Sequence, residues 1–256
     1  MPVLARPGGN ISYQVTGSGH PLLLLTHGYG ATSAMFGLNL AAAATQVVTW
    51  DIRGHGGSES PADPESYSAD AAVTDMAALL RELGIGRAVL GGHSLGGYLS
   101  LDFALRHPDQ VAGLVLIGTG PGFRNDAARD DWNRRAHKTA ARLEERGLAA
   151  LGSSSELHGE QGDVAGLASA ARHTLTQRDA HVIDGLASIQ APALVIVGAD
   201  DAPFQAAADY MAAKLPRARK VVIPAAGHAP NVDQPEQFNG ELRSFLDEVA
   251  LAEAAA

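Results

Sequence analysis

Residues 91–97 read Gly91-Gly92-His93-Ser94-Leu95-Gly96-Gly97. The stretch before them, Arg87-Ala88-Val89-Leu90, is short and apolar, and Tyr98 to His107 carries apolar residues at helical spacing. A serine with a glycine two residues away on each side, on a strand-to-helix turn, is built for nucleophilic chemistry. Such a turn is so tight that positions 92 and 96 must lack a Cβ, and it lifts the Ser94 hydroxyl above a helix N-terminus. Free N–H groups there favour negative charge developing on an acyl oxygen. A Gly-rich connection with an incidental serine is the bland alternative. It is outweighed because strand, turn and helix all fall where the chemistry needs them.

A serine hydroxyl is a weak nucleophile and needs a base that is itself oriented by a third group. Of ten histidines, His228 is best placed, in Ala226-Gly227-His228-Ala229-Pro230 directly after the last expected strand. Loops at strand C-termini of a parallel sheet converge on one edge, so His228 can reach Ser94 across the sequence. His55, His107, His137, His158, His173 and His181 stand in polar or helical contexts expected at the surface. His20 precedes a strand and belongs at the opposite edge, and His93 is expected to pack away from the reaction. The orienting acid should follow another strand. Gly118-Thr119-Gly120 offers no carboxylate, whereas Gly198-Ala199-Asp200-Asp201 offers two. Spacing alone leaves Asp200 and Asp201 open, with Asp201 favoured and the other a turn residue.

A tetrahedral intermediate also needs donors aimed at its oxyanion. The Leu95 N–H supplies one by position. The second is expected from Thr26-His27-Gly28-Tyr29-Gly30, whose glycines let backbone approach a ligand; the Tyr29 N–H is the candidate.

These loops need a sheet to hold them. Ile11 to Val15 alternates like an outer strand. Leu22–Leu25, Val47–Trp50, Ala88–Leu90, Leu114–Ile117, Leu194–Val197 and Val221–Ile223 are apolar throughout, as strands buried on both faces are. Between two of them, Val73, Met76, Ala77 and Leu80 mark a helix from Ser68, its cap, to Leu83, ended by Gly84. Strand–helix alternation predicts a doubly wound, mostly parallel α/β sheet. The alternation breaks once, between Pro121 and Ile189, in a polar, helix-prone segment with a Gly/Ser-rich break at 152–155. The expected organisation is therefore a core from 1–120 and 190–256 with a helical cap inserted at 121–189.

The chain has 256 residues, is 46% hydrophobic and can bury a full core. With 19 basic and 28 acidic residues its net charge is −9, which argues against a nucleic-acid partner. The densest basic run, Arg134 to Arg146, includes Glu144 and Glu145 and suits a solvated helix face. Cysteine is absent, so disulfides, thiolate nucleophiles and Cys-based metal sites are excluded. Met1 to Asn10 lacks an apolar stretch of signal-peptide length, and no run is long enough for a membrane helix. A cytoplasmic protein without membrane association, metal or cofactor is expected.

The ordered motifs resemble the α/β-hydrolase fold superfamily, in its capped, esterase-like form, which implies a sheet of eight strands with a helical cap. His27-Gly28-Tyr29-Gly30 is similar to the family's oxyanion loop, and Asp51-Ile52-Arg53-Gly54-His55-Gly56-Gly57-Ser58 to its signature turn, which is structural. His93-Ser94-Leu95-Gly96-Gly97 resembles its elbow and Gly227-His228 its terminal histidine. The family's Gly-x-x-Asp spacing selects Asp201 in Gly198-Ala199-Asp200-Asp201. The resemblance implies a serine hydrolase acting on small carboxylic esters or lactones through an acyl-enzyme on Ser94. Carbon–carbon bond hydrolases and perhydrolases share the triad, and some relatives only bind ligands. An aspartate at position 94 would have suggested dehalogenase or epoxide-hydrolase chemistry. A dinucleotide site is not expected, because no G-x-G-x-x-G follows the first strand. Met35, Phe36, Phe123, Trp132 and Phe204 are candidates for an apolar substrate pocket.

Overall fold

The computed structural model describes residues 1–157 and 160–255, so His158 lies outside the described residues. The apolar runs become strands: β1 (Val3–Leu4), β2 (Ile11–Thr16), β3 (Leu23–Thr26), β4 (Val47–Trp50), β5 (Ala88–His93), β6 (Val111–Ile117), β7 (Ala193–Gly198) and β8 (Ala218–Ile223). They form one eight-stranded sheet in the order β1-β2-β4-β3-β5-β6-β7-β8. β1 pairs antiparallel with β2 and β2 antiparallel with β4, while the remaining pairs are parallel. β3 to β7 are buried throughout, because helices cover both faces. β8 departs from that expectation. It is the edge strand, and Val222 is left 40% exposed.

The helices are α1 (Ala69–Glu82), α2 (Leu95–Arg106), α3 (Asp126–Arg146), α4 (Val164–His173), α5 (His181–Gly185), α6 (Ala202–Lys214), α7 (Pro230–Asp233) and α8 (Pro235–Ala254). α1 starts where its sequence signals place it, with the Ser68 hydroxyl accepting from the Ala71 N–H at 2.9 Å. One core cluster packs α1 and α2 against the sheet and includes Val73, Met76, Leu99 and Phe103. The other lies under α8 and joins Leu23, Leu25, Phe238, Leu242 and Phe245. Met35 and Phe36 belong to this second cluster, at 1% and 0% exposure. Between β6 and β7 every described regular element is helical. There α3 and α4 share a small apolar contact of Ala140, Leu143, Leu167, Ala168 and Ala171, which Tyr29 joins from the sheet side.

Strand order decides where a site can lie. From β3 the chain moves to β4 on one side and then to β5 on the other. The loops leaving β3 and β5 therefore diverge, opening a crevice at their C-terminal ends. Register brings the loop origins level: Thr26 pairs with Gly92, His93 with Ile117, Ile117 with Ile196, and Gly198 with Ile223.

Candidate active site

Ser94 follows β5 with φ 49° and ψ −111°, a conformation that side-chain-bearing residues rarely adopt. The strain is held by the packing around it. A Cβ on Gly92 would overlap the backbone of Gly96, and one on Gly96 would overlap the Thr26 carbonyl. Thr119, after β6, donates its hydroxyl to the Ser94 carbonyl at 2.6 Å. Thr119 stands in a loop without a carboxylate, so nothing in the sequence marks it for this bond.

His228 leaves the loop after β8, and its Nδ1 lies 2.9 Å from Oδ2 of Asp201. Asp201 is 5% exposed, whereas Asp200 points to solvent and uses its backbone N–H on the Ala226 carbonyl. The acid-loop alternative left open by spacing is thus resolved in geometry: Asp201 is the carboxylate that reaches the imidazole. An Nδ1–H donated to Asp201 leaves Nε2 as the basic nitrogen. Phe204 stacks on the His228 ring with centroids 4.7 Å apart.

His93 does more than pack. Its Nε2 lies 3.0 Å from the His228 carbonyl and so donates to it, and its ring meets the His228 ring edge-on at 4.6 Å. Burial pushes its pKa down to about 3, which keeps the ring neutral. Sequence periodicity carries no signal for such a cross-loop bond.

The loop after β3, the candidate oxyanion loop, is shaped by two more neutral histidines. The Ile52 N–H donates to His27 Nε2 at 2.9 Å, and the Gly30 N–H donates to His55 Nε2 at 3.1 Å. His55 is fully buried, which corrects its expected surface position. The turn from Asp51 to Ser58 folds back beneath the oxyanion loop and carries the ring inward. Burial lowers the pKa of His27, and that of His55 to about 3. Asp51 accepts from Ser33 and Gly57 N–H groups at 2.7 and 2.9 Å, in keeping with a structural turn. The Tyr29 hydroxyl donates to the Leu167 carbonyl of α4 at 2.9 Å. The backbone N–H groups of Tyr29 and Leu95 have no intramolecular acceptor among the described residues.

A cavity of about 320 Å³ opens beside Ser94. Leu95, Tyr98, Thr119, Phe123, Trp132, Leu175, Gln177 and Phe204 are among its walls. Phe123 and Trp132 meet at 5.9 Å, and Trp132 Nε1 donates to the Leu175 carbonyl at 2.8 Å. Met35 and Phe36 are not among the walls, which corrects their assignment to the pocket. The 3₁₀ turn after the oxyanion loop directs both side chains down into the core under α8. Tyr98, Arg135, Leu175 and Gln177 were missed. None of them sits beside a motif, although Tyr98 lies four residues after Ser94, one helical turn along α2.

The alpha/beta hydrolase family model matches residues 22–241. A putative carbamate hydrolase, RutD, of Pseudomonas savastanoi pv. phaseolicola is 32% identical over 89% of this chain and 94% of its own. Among solved structures, a thermophilic esterase from Thermogutta terrifontis superposes with TM-score 0.80 at 28% identity, covering 96% of this chain and 97% of that one. The enol-lactonase of Burkholderia xenovorans LB400 gives TM-score 0.78 at 25% identity, over 96% and 100%. Among the described residues no helix is long and apolar enough to cross a membrane. The sheet order, the strained serine turn and the match over most of its length together make this chain a hydrolase of the alpha/beta hydrolase family.

Proposed function

We propose that the chain hydrolyses small carboxylic esters through an acyl-enzyme on Ser94. The observation that carries this reading is the half-buried Asp201–His228 pair at 2.9 Å, on loops that share a sheet edge with the strained Ser94 turn. His228 Nε2 takes the Ser94 proton as Oγ attacks the ester carbonyl. The Tyr29 and Leu95 N–H groups receive the oxyanion, and the imidazolium returns its proton to the departing alcohol. Water activated by the same nitrogen then releases the acid. A helical cap at 121–189, placed over this edge, shapes the acyl or alcohol site with Phe123 and Trp132 and excludes bulk water. A lactone is an ester closed into a ring and uses the same groups. The likeness to the enol-lactonase supports including it among the substrates. The activity is assigned to the cytoplasm, on small molecules and without cofactor.

A fluorophosphonate tests the assignment directly. One covalent adduct is expected, on the peptide containing Ser94. Ser94→Ala should lower kcat for a p-nitrophenyl ester by roughly three to six orders of magnitude. Labelling of a different serine would remove Ser94 from the reaction.

A further inference from the structure

The cavity beside Ser94 is mainly apolar, but two polar side chains interrupt its wall on the helical side. Gln177 is 9% exposed. Its backbone is clamped to α3 by reciprocal bonds with the Asn133 side chain, 2.8 Å to the Gln177 carbonyl and 2.9 Å from its N–H. Among the described residues its side-chain Oε1 is buried without a partner. A buried, positioned amide with free valence is costly unless something binds it.

Arg135, on α3, is the second. Arg129 and Arg134 on the same helix are paired with Asp126 and Asp131. Arg135, Lys138 and Arg142 have no carboxylate partner among the described residues. Their i, i+3, i+7 spacing puts the three on one face, where they line a surface hollow in which Glu145 is the one acid. Arg135 lines that hollow and the Ser94 cavity alike. In a chain of net charge −9, this cationic stripe ends in the wall of the candidate active site. A solvated helix face accounts for the stripe but not for the unpartnered Gln177 Oε1 in the cavity that Arg135 also lines.

We infer that the substrate carries a carboxylate remote from its scissile bond, held by Arg135 and Gln177 and guided in along Lys138 and Arg142. The inference rests on the ester-hydrolase reading and names its substrate class. A guanidinium presents paired donors matched to the two oxygens of a carboxylate. As placed, Gln177 buries its acceptor Oε1; a half-turn about the terminal torsion exchanges Oε1 for Nε2 at no change of shape and presents an N–H to the carboxylate. The stripe raises the local concentration of an anion that the net charge otherwise repels.

The test compares two esters of closely matched shape, monoethyl adipate and ethyl 6-methylheptanoate, as a ratio of kcat/KM followed by acid release. The ratio is expected above one in the wild type. Arg135→Gln should lower it about tenfold or more, chiefly through the KM of the acidic ester. Gln177→Glu should lower it further than Gln177→Leu, because a carboxylate replaces a donor. Raising ionic strength from about 20 to about 200 mM should lower it severalfold. A wild-type ratio below one, or a ratio unmoved by Arg135→Gln, overturns the inference and leaves the ester reading standing. Cleavage of neither ester, with no phosphonate adduct on Ser94, overturns the ester reading and the inference together.

Discussion

The serine turn and the helical segment between β6 and β7 are held by different forces. Around Ser94, backbone meets backbone: Gly92 and Gly96 leave no room for a Cβ, and Thr119 and His93 tie the neighbouring loops. Over the cavity, α3 and α4 meet through a thin contact of three alanines and two leucines. The bonds from Tyr29 and Trp132, together with Asn133 on Gln177, then tie this layer together. On the proposed reading, chemistry sits where geometry is over-determined, and substrate choice sits where packing is light. Change at the turn should abolish activity; change in the helical segment should redirect it.

The largest expected effect separates the two aspartates of the acid loop. Asp201→Asn should keep the fold and lower kcat by roughly 10⁴, since an amide permits the wrong imidazole tautomer. Asp200→Asn should cost far less. Equal losses at both positions would dissolve the distinction that burial draws between them.

Next comes the turn itself. Gly96→Ala forces a methyl group against the Thr26 carbonyl, which belongs to β3 and cannot yield cheaply. Chemical denaturation should show a loss of several kcal/mol, in the range of severe core disruptions. A drop below about 1 kcal/mol would show that the elbow has more room than its backbone contacts imply.

The buried histidines make stability depend on pH. Their folded pKa values are depressed, to about 3 for His55 and His93. The unfolded chain therefore binds more protons between about pH 3 and the ordinary histidine value near 6.5. Their contribution is fully present above about pH 6.5 and declines as pH falls toward 3, by up to about 1.4 kcal/mol per pH unit for each ring. His93→Gln, which keeps a donor for the His228 carbonyl, should flatten this slope and retain most activity. His93→Leu should flatten it equally but lower kcat. Similar activity in both variants would reduce His93 to packing.

The smallest effects belong to the helical segment. Phe123→Ala and Trp132→Ala should change KM and chain-length preference among esters severalfold, with little change in phosphonate labelling of Ser94. An unaltered preference in two stably folded variants would take this segment out of the substrate site.

Local chemistry made much of the molecule legible. A turn that excludes Cβ atoms shows in two glycines, a helix start in Ser68, and doubly buried strands in runs without polar residues. What proved illegible depends on direction after the chain leaves an element. Between the adjacent Asp200 and Asp201 the sequence favoured the second without closing the choice, and the fold covers that one. Met35 and Phe36 share the character of Phe204, yet they turn beneath α8 while Phe204 faces the cavity. His55 looks solvent-bound in a run of glycines, but the turn folds its ring inward to accept the Gly30 N–H.

The sequence by itself determined the sheet and the serine turn, because each is written in sterics and periodicity over a few residues, and it singled out His228 as the candidate base by its place after the last strand. Only the tertiary structure decided that the Asp201 carboxylate reaches the His228 ring, that His93 bonds the His228 carbonyl, and that Arg135 and Gln177 line one cavity. Those depend on long-range closure, in which residues 27 to 135 positions apart, as in Asp201–His228 and His93–His228, become neighbours through strand order alone.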